Sequence, residues 1–330
     1  MTLAEQIQHR LDSLTKPRGS LGRLEELAVR YGVARGTAEL KLECKAMFVF
    51  CADHGVAAEG VSAFPSEVTR QMVRNFVSGG AAINVLCRQY GIEAFIVDVG
   101  VNAEPEPGVI ARQIARGTRN FLQEPAMSRE QAQQALDVGL ETAARGPFDV
   151  VGTGEMGIGN TTAAAAIVAA FTGRDPAEVV GRGTGVDDAG WQRKVSVVRT
   201  ALERRRPDPT DPLGVLAAVG GFEIGAIAGL ILGAAGARVA VAVDGFIATA
   251  GALVAAALDP RAKDAMFFAH RSAEPGHGAA LQALAARPLL DLEMRLGEGT
   301  GAALAIGLIE SAVRLYNEMA TFDSAGVTSV

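Results

Sequence analysis

The sequence predicts an α/β protein, with a mostly parallel sheet carrying helices on both faces. Three observations lead there. Strand and helix signals alternate along the 330 residues. The first strand candidate is a continuous apolar run, as expected where a strand is covered on both faces. The composition leans on Ala, Val and 39 Gly, which suits close-packed βαβ units with many tight turns. A hydrophobic content of 49% is ample for a buried core. The length allows roughly two domains or one large α/β domain.

Residues 1–30 read as helical, with a Lys-Pro-Arg-Gly-Ser break at 16–20. Ala46–Ala52 is the first strand, a single helical stretch runs from about Ser66 to Tyr90, and Ala94–Val99 is the second strand. Ser128–Ala144 is an Ala- and Gln-rich helix whose Ser128 offers an N-cap, with Gln131 three residues on. Phe148–Gly152 is a third strand that runs straight into a Gly-rich turn and a helix from Thr161. Residues 189–206 read as a charged surface helix, Asp208–Pro212 as a loop, and Ile224–Ala237 as a buried helix. Arg238–Val243 and Ala265–Phe268 are further strands, with a Gly245–Leu258 helix between them. Ala302–Glu318 is one long helix, and the tail after Phe322 reads as frayed. Right-handed crossovers put the C-terminal ends of all parallel strands on one edge, where ligands bind in such sheets.

Bulk numbers narrow the function classes. The net charge of −6 gives no attraction to nucleic acid or to an acidic membrane. An aromatic content of 5% argues against base-stacking platforms. Cys44, Cys51 and Cys87 are odd in number and lack metal-ligand spacing, so they read as small buried hydrophobes in a reducing compartment. Met1–Arg10 has no apolar signal core, and no apolar run is long enough to span a bilayer, so a cytoplasmic protein is expected.

Polar and Gly residues gather after each strand: Asp53-His54-Gly55, Asp98 with Gly100, Asp244-Gly245 and His270-Arg271-Ser272-Ala273-Glu274. After the third strand, residues 152–157 match G-x-G-x-x-G, which makes an NAD-binding oxidoreductase one reading. The acidic residue that should end the next strand is missing, and Glu155 inside the motif would repel a pyrophosphate. A single phosphate fits better, held by backbone N–H groups and the following helix N-terminus. Further Gly loops lie at 181–185 and 297–301. In the second, Gly residues flank Glu298 and leave its carboxylate free to meet a ligand, although a Glu there also suits a helix start. Lys194 alone reads as a solvated surface lysine and Ser272 as a turn residue. His9, His54, His270 and His277 show no H-E-x-x-H spacing, so neither a metal site nor a cofactor is expected. A hydrolase elbow and a P-loop are also absent.

Taken together, these segments resemble the nicotinate-nucleotide–dimethylbenzimidazole phosphoribosyltransferase family. The resemblance runs through LDSLTKPRGSLGRLEELA (11–28), ADHGVAAEGVSAFPSEVT (52–69), GGAAINVL (79–86) and VDVGVNAEP (97–105). It continues through GEMGIGNTTAAAA (154–166), GGFEI (220–224), VDGFIATA (243–250), HRSAEPGH (270–277) and RLGEGTGAALA (295–305). It implies a homodimer whose large Rossmann-like α/β domain (31–301) carries a small helical domain made from the two chain ends (1–30 with 302–330). It implies transfer of ribose 5-phosphate from nicotinate mononucleotide to a benzimidazole-type base. Glu298 falls on the family's catalytic base, and Glu155 would face the reacting carbon. Glu155, Gly157, Gly183, Lys194 and Ser272 fall on ribose-phosphate contacts, and the helix start adds Asn160 and Thr161. The acceptor base would meet Ser62, Phe64, Gln71, Met72 and Leu296; Phe64 and Met72 stand where some members carry Ser and Gln. A non-catalytic relative that kept the fold is the other reading left open.

Overall fold

The computed structural model describes residues 1–328. One six-stranded sheet runs through it, formed by β1 (Lys45–Ala52), β2 (Glu93–Gly100), β3 (Ile110–Ala111), β4 (Val150–Met156), β5 (Ala240–Val243) and β6 (Met266–Phe268). The spatial order is β3-β2-β1-β4-β5-β6, and every neighbouring pair is parallel. This is the expected α/β architecture. The chain winds outward from β1 to β3, returns to the middle, and winds outward again from β4 to β6. The order reverses between β1 and β4, and there the loops leaving the two halves diverge and open a crevice.

The pleat of β1 sorts two cores. Ala46, Phe48, Phe50 and Ala52 join one buried cluster, with helices Arg129–Ala143, Asn160–Thr172, Phe222–Gly236 and Phe246–Leu258. Met47, Val49 and Cys51 join the other, with helices Leu3–Ser13, Arg23–Arg35 and Thr300–Glu318. Alternate residues face opposite layers and both layers are apolar, so the strand reads as an unbroken hydrophobic run. The two chain ends meet: Thr15 N donates to Ala320 O at 3.0 Å, and Arg10 Nε to Tyr316 O at 3.1 Å. Their helices share the second cluster with the sheet rather than enclosing a core of their own.

Several elements differ from expectation. The stretch 66–90 is two helices, Glu67–Val77 and Ala82–Tyr90. They are separated at Gly79 and Gly80, where Gly79 takes φ of 77° and breaks the ladder. The third strand continues to Met156 instead of turning at Gly152. Gly152 and Gly154 are strand interior, where a side chain at 152 would run into Met47. The G-x-G-x-x-G match therefore lacks the tight turn of a dinucleotide site, and Glu155 lies in a strand rather than a loop. The charged helix, Asp188–Arg205, is only partly a surface element, since Lys194, Val197, Val198 and Ala201 are buried. The tail is not simply frayed: Thr321 caps a short helix, Phe322–Ala325. The last two residues of the expected 302–330 segment lie outside the described ones. Cys51 and Cys87 are buried, but Cys44, where the chain enters the sheet from the surface, is exposed. The Pro212–Val219 and Pro275–Ala283 helices and the two-residue β3 carry too little periodicity to be seen in the sequence.

Helices Arg129–Ala143 and Phe222–Gly236 pack at the closest approach their backbones allow. A side chain at Gly229 would run into the Leu136 carbonyl, and one at Gly139 into the Ala226 carbonyl. Carbonyls cannot rotate away as a side chain can, so overpacking here must part the helices. Gly229→Ala should destabilise the fold by about 1–3 kcal/mol or more. The urea midpoint of the variant against wild type measures this. An unchanged midpoint would mean the helices are not in this contact.

Candidate active site

A cleft of about 280 Å³ opens over the C-terminal ends of β4, β5 and β6. It holds Glu155, Gly157, Asn160, Thr161, Gly183, Ser272, Leu296, Glu298 and Phe64 among its walls. Nine of the residues singled out from sequence are thus brought together from five separate segments. Phe64 and Leu296 are exposed at the mouth, 52% and 57% respectively, and leave apolar surface facing the opening. The remaining expected residues lie outside the cleft walls. Ser62 Oγ lies 3.0 Å from Thr184 Oγ1, a residue that does line the cleft. Gln71 is exposed on its helix, and Met72 packs against the second core cluster.

Lys194 is the largest departure from its sequence reading. It is fully buried, and its Nζ donates to Thr161 Oγ1 at 2.6 Å. A side chain at Gly183 would come within 2.9 Å of that Nζ, so the ammonium lies directly behind the 181–185 loop. Burial pushes its pKa down to about 8, against the opposing pull of Glu274. From sequence, Glu274 reads only as one of the polar residues after the last strand, with no site role. Its Oε1 accepts from Gly183 N at 3.0 Å and holds the same loop. Arg295 was missed; it lines the cleft and reaches Gly183 O at 3.5 Å. Both lie inside segments that carry the family resemblance, but nothing local shows that they meet the 181–185 loop, to which only the fold draws them.

Glu155 and Glu298 meet through the Glu298 backbone. Glu155, one residue before the end of β4, accepts from Asn160 Nδ2 and from the backbone N–H of Glu298 at 3.4 Å. Gly297 is pressed onto its Oε1 so closely that no side chain would fit. Gly297, Glu298 and Gly299 all take left-handed backbone, with φ of 81°, 64° and 91°. Glycine does so freely, but for Glu298 the conformation costs about 1–2 kcal/mol. That strain is held by the structure around it. Burial, then the Asp244 charge, pushes the Glu298 carboxyl up to about 7. Burial, then Asp244, Glu223 and Glu298, pushes Glu155 up to about 8. A carboxyl poised near neutral pH is suited to general acid–base work.

Buried polar pairs set the surrounding loops. Asp244, just beyond β5, accepts from Gly299 N at 3.2 Å and Ala302 N at 2.9 Å, capping the Thr300–Glu318 helix. His277 Nδ1 accepts from Ser272 N at 2.8 Å, which puts the ring proton on Nε2, 3.0 Å from Thr249 Oγ1. Burial holds that ring neutral, its pKa pushed down to about 3. His54 Nε2 lies 2.8 Å from Glu223 Oε1, with both side chains fully buried, and the His54 ring packs close to Gly157. The segment after the Pro275–Ala283 helix returns along β6, with Leu290 N on Ala269 O at 2.9 Å and Ala273 N on Met294 O at 3.1 Å. It thereby delivers Arg295, Leu296 and Glu298 to the cleft. The N-termini of helices Asn160–Thr172 and Phe246–Leu258 also contribute walls, which favours an anion there.

The raised Glu155 carboxyl couples pH to stability. Its folded pKa, about 8, lies above the ordinary value of 4.5, so the neutral form fits the fold better. Its contribution is fully favourable below pH 4.5 and is lost as pH rises toward 8. Gln is neutral throughout. The stability of Glu155→Gln relative to wild type should therefore grow by on the order of 2–4 kcal/mol between about pH 5 and about pH 8. Paired urea titrations at the two pH values read the difference. A constant gap would show that Glu155 is ionised in the fold throughout.

Known proteins match the chain over nearly its whole length. A family model described as phosphoribosyltransferase matches residues 1–327. The nicotinate-nucleotide–dimethylbenzimidazole phosphoribosyltransferase of Geobacter metallireducens is 56% identical over 330 residues, covering 98% of this chain and 94% of that protein. The protein of that name from Chloroflexus aggregans is 55% identical over 326 residues, covering 97% and 92%. The crystal structure of CobT from Thermus thermophilus matches with a TM-score of 0.95 at 48% identity, covering 99% of each chain. With a family match across nearly its whole length and relatives above half identity, the chain belongs to the nicotinate-nucleotide–dimethylbenzimidazole phosphoribosyltransferase family.

Proposed function

We propose that this protein transfers the ribose 5-phosphate of nicotinate mononucleotide to 5,6-dimethylbenzimidazole or a related base. The products are α-ribazole 5′-phosphate and nicotinate, in assembly of the cobalamin lower ligand. The observation that carries the reading is the Glu298 carboxyl, carried on a left-handed Gly-flanked turn whose backbone N–H meets Glu155, and pushed up to about 7. Family membership across residues 1–327 supports the substrate pair.

The chemistry asks for what these residues offer. The leaving group is a pyridinium, which departs as neutral-ring nicotinate and needs no general acid. The attacking benzimidazole nitrogen uses its lone pair, and the opposite ring N–H becomes acidic as the bond forms. Glu298 takes that proton. Displacement on the far face of the anomeric carbon converts the β linkage to α. Glu155 is largely protonated in the free site near neutral pH. The cationic pyridinium lowers its pKa, and the resulting carboxylate favours positive charge at the anomeric carbon. The phosphate sits at the helix start around Gly157, Asn160 and Thr161, with Gly183 and Ser272, and with the Lys194 ammonium behind. A phosphate dianion there raises the proton affinity of Lys194 and keeps it charged. The flat, mostly apolar base lies between Phe64 and Leu296 at the mouth, with Ser62 nearby beside Thr184, and Gln71 and Met72 further off on the following helix. No cofactor enters this scheme.

A cytoplasmic homodimer is part of the same proposal and rests on the family resemblance. So does the division into a small helical domain (1–30 with 302–330) and a large domain (31–301). The meeting of the two chain ends favours grouping them, although their helices pack on the same core cluster as the sheet. No described helix is long and apolar enough to cross a membrane.

Glu298→Gln should bind both substrates and lose most turnover, since a positioned general base contributes roughly 10²–10⁴-fold. Formation of α-ribazole phosphate, read by mass from nicotinate mononucleotide and dimethylbenzimidazole, tests it. A variant keeping more than roughly a tenth of the rate would rule out this role. In wild type, kcat/KM should rise with pH through about 7 as Glu298 ionises. Lys194→Ala should raise the KM for the mononucleotide far more than that for the base, because it removes binding present before and during reaction. An unchanged mononucleotide KM would take Lys194 out of the phosphate site.

A further inference from the structure

His270 has no assigned part in the scheme above, yet it lines the cleft and is only 1% exposed. Neither ring nitrogen finds a hydrogen-bond partner among the described residues. A buried imidazole in that state is costly to keep. Its surroundings say what it is for. Nε2 lies 3.9 Å from Asp244 Oδ1, about 1 Å beyond a hydrogen bond. That same Oδ1 accepts from Ala302 N, and Oδ2 from Gly299 N. The ring also presses on the backbone of Gly301, where any side chain would collide with it, and stands 3.1 Å from the place of a side chain at Gly245. His270 is therefore wedged between the first turn of the Thr300–Glu318 helix and the start of the Phe246–Leu258 helix, facing the carboxylate that caps the former.

We propose that His270 is a positioning residue. Its ring pairs with Asp244, and the pair fixes the first turn of the Thr300–Glu318 helix and with it the Glu298 carboxylate. The proposal rests on Glu298 being the base. A loose apo contact of this kind closes when substrate fills the cleft. Held so, Glu298 meets the acceptor N–H at a set distance, and an error of 1 Å there lowers turnover on the order of a hundredfold.

The test is a double-mutant cycle on the full-length protein with His270→Ala, His270→Gln, Asp244→Asn and the Ala/Asn double variant. Two readouts run in parallel. In protein saturated with nicotinate mononucleotide, amide hydrogen exchange at Gly299 and Ala302 should speed up on the order of tenfold in His270→Ala and in Asp244→Asn. If His270 acts through Asp244, the double variant exchanges no faster than Asp244→Asn alone. In turnover, His270→Ala should lower kcat on the order of tenfold or more while leaving the mononucleotide KM within about twofold. His270→Gln, whose amide can reach Asp244, should recover part of both, and it stands in if the Ala variant fails to fold. Unchanged exchange at the two amides, additive costs in the cycle, or a loss confined to KM would each overturn the positioning role. A wild-type protein that forms no ribazole phosphate would overturn the reaction instead, while the exchange cycle still decides whether the pair exists.

Discussion

The carboxylate of Asp244, at the end of β5, accepts from the backbone of Gly299 and Ala302 at the start of the Thr300–Glu318 helix. Much of the site follows from that contact. It ties the C-terminal end of β5 to the helix that packs on the other face of the sheet with the N-terminal helices. It sets the preceding turn, whose three consecutive left-handed residues bring Glu298 N onto Glu155 Oε1. It also supplies the buried negative charge that raises the proton affinity of both Glu155 and Glu298. One anchoring contact thus serves both geometry and electrostatics, and in a buried site the two are hard to separate because the same short distances produce them.

The cleft concentrates acidic groups that a fold built for stability alone would avoid. Glu155, Asp244, Glu274 and Glu298 are all buried within or beside it. Each makes at least one contact with backbone N–H groups or approaches a helix start, which is how a protein tolerates carboxylates out of water. The tolerance is incomplete, since Glu155, Asp244 and Glu298 are all shifted upward by burial. In the proposed reaction, a donor carrying a cationic ring would relieve the mutual repulsion on entering. On that proposal, the stability given up in the free protein would be recovered on binding, in the form most useful to a reaction that develops positive charge on carbon.

Much of this was legible in the sequence, and for particular reasons. The unbroken apolar run of β1 announces a strand covered on both faces, and the structure places its alternate residues in two separate cores. The Ser128–Gln131 capping box is a local hydrogen-bond pattern, and it is present as read. The Gly-Glu-Gly turn at 297–299 signals itself because only glycine enters the left-handed region freely. Local signals failed where the deciding contact lay elsewhere in the chain. Gly152 and Gly154 looked like a turn because glycine is frequent in turns. They are strand residues that make room for Met47 and for the Glu298 backbone. Lys194 looked solvated on a charged helix, and it is the one ammonium on that helix turned wholly inward, onto Thr161.

By itself the sequence determined the fold class, the order of its elements and the loops that carry polar residues. These depend on hydrophobic periodicity and on backbone freedom, which act over a few residues at a time. Its motifs also pointed to the family. Only the tertiary structure decided which of those polar residues meet. It brought Glu274 and Arg295 to the 181–185 loop, set His270 against Asp244, and left Gln71 and Met72 outside the cleft walls. It also decided which carboxyls are poised to exchange a proton near neutral pH. Proton affinity in a buried site is set by desolvation and by charges from other strands, and neither is written in the residues on either side.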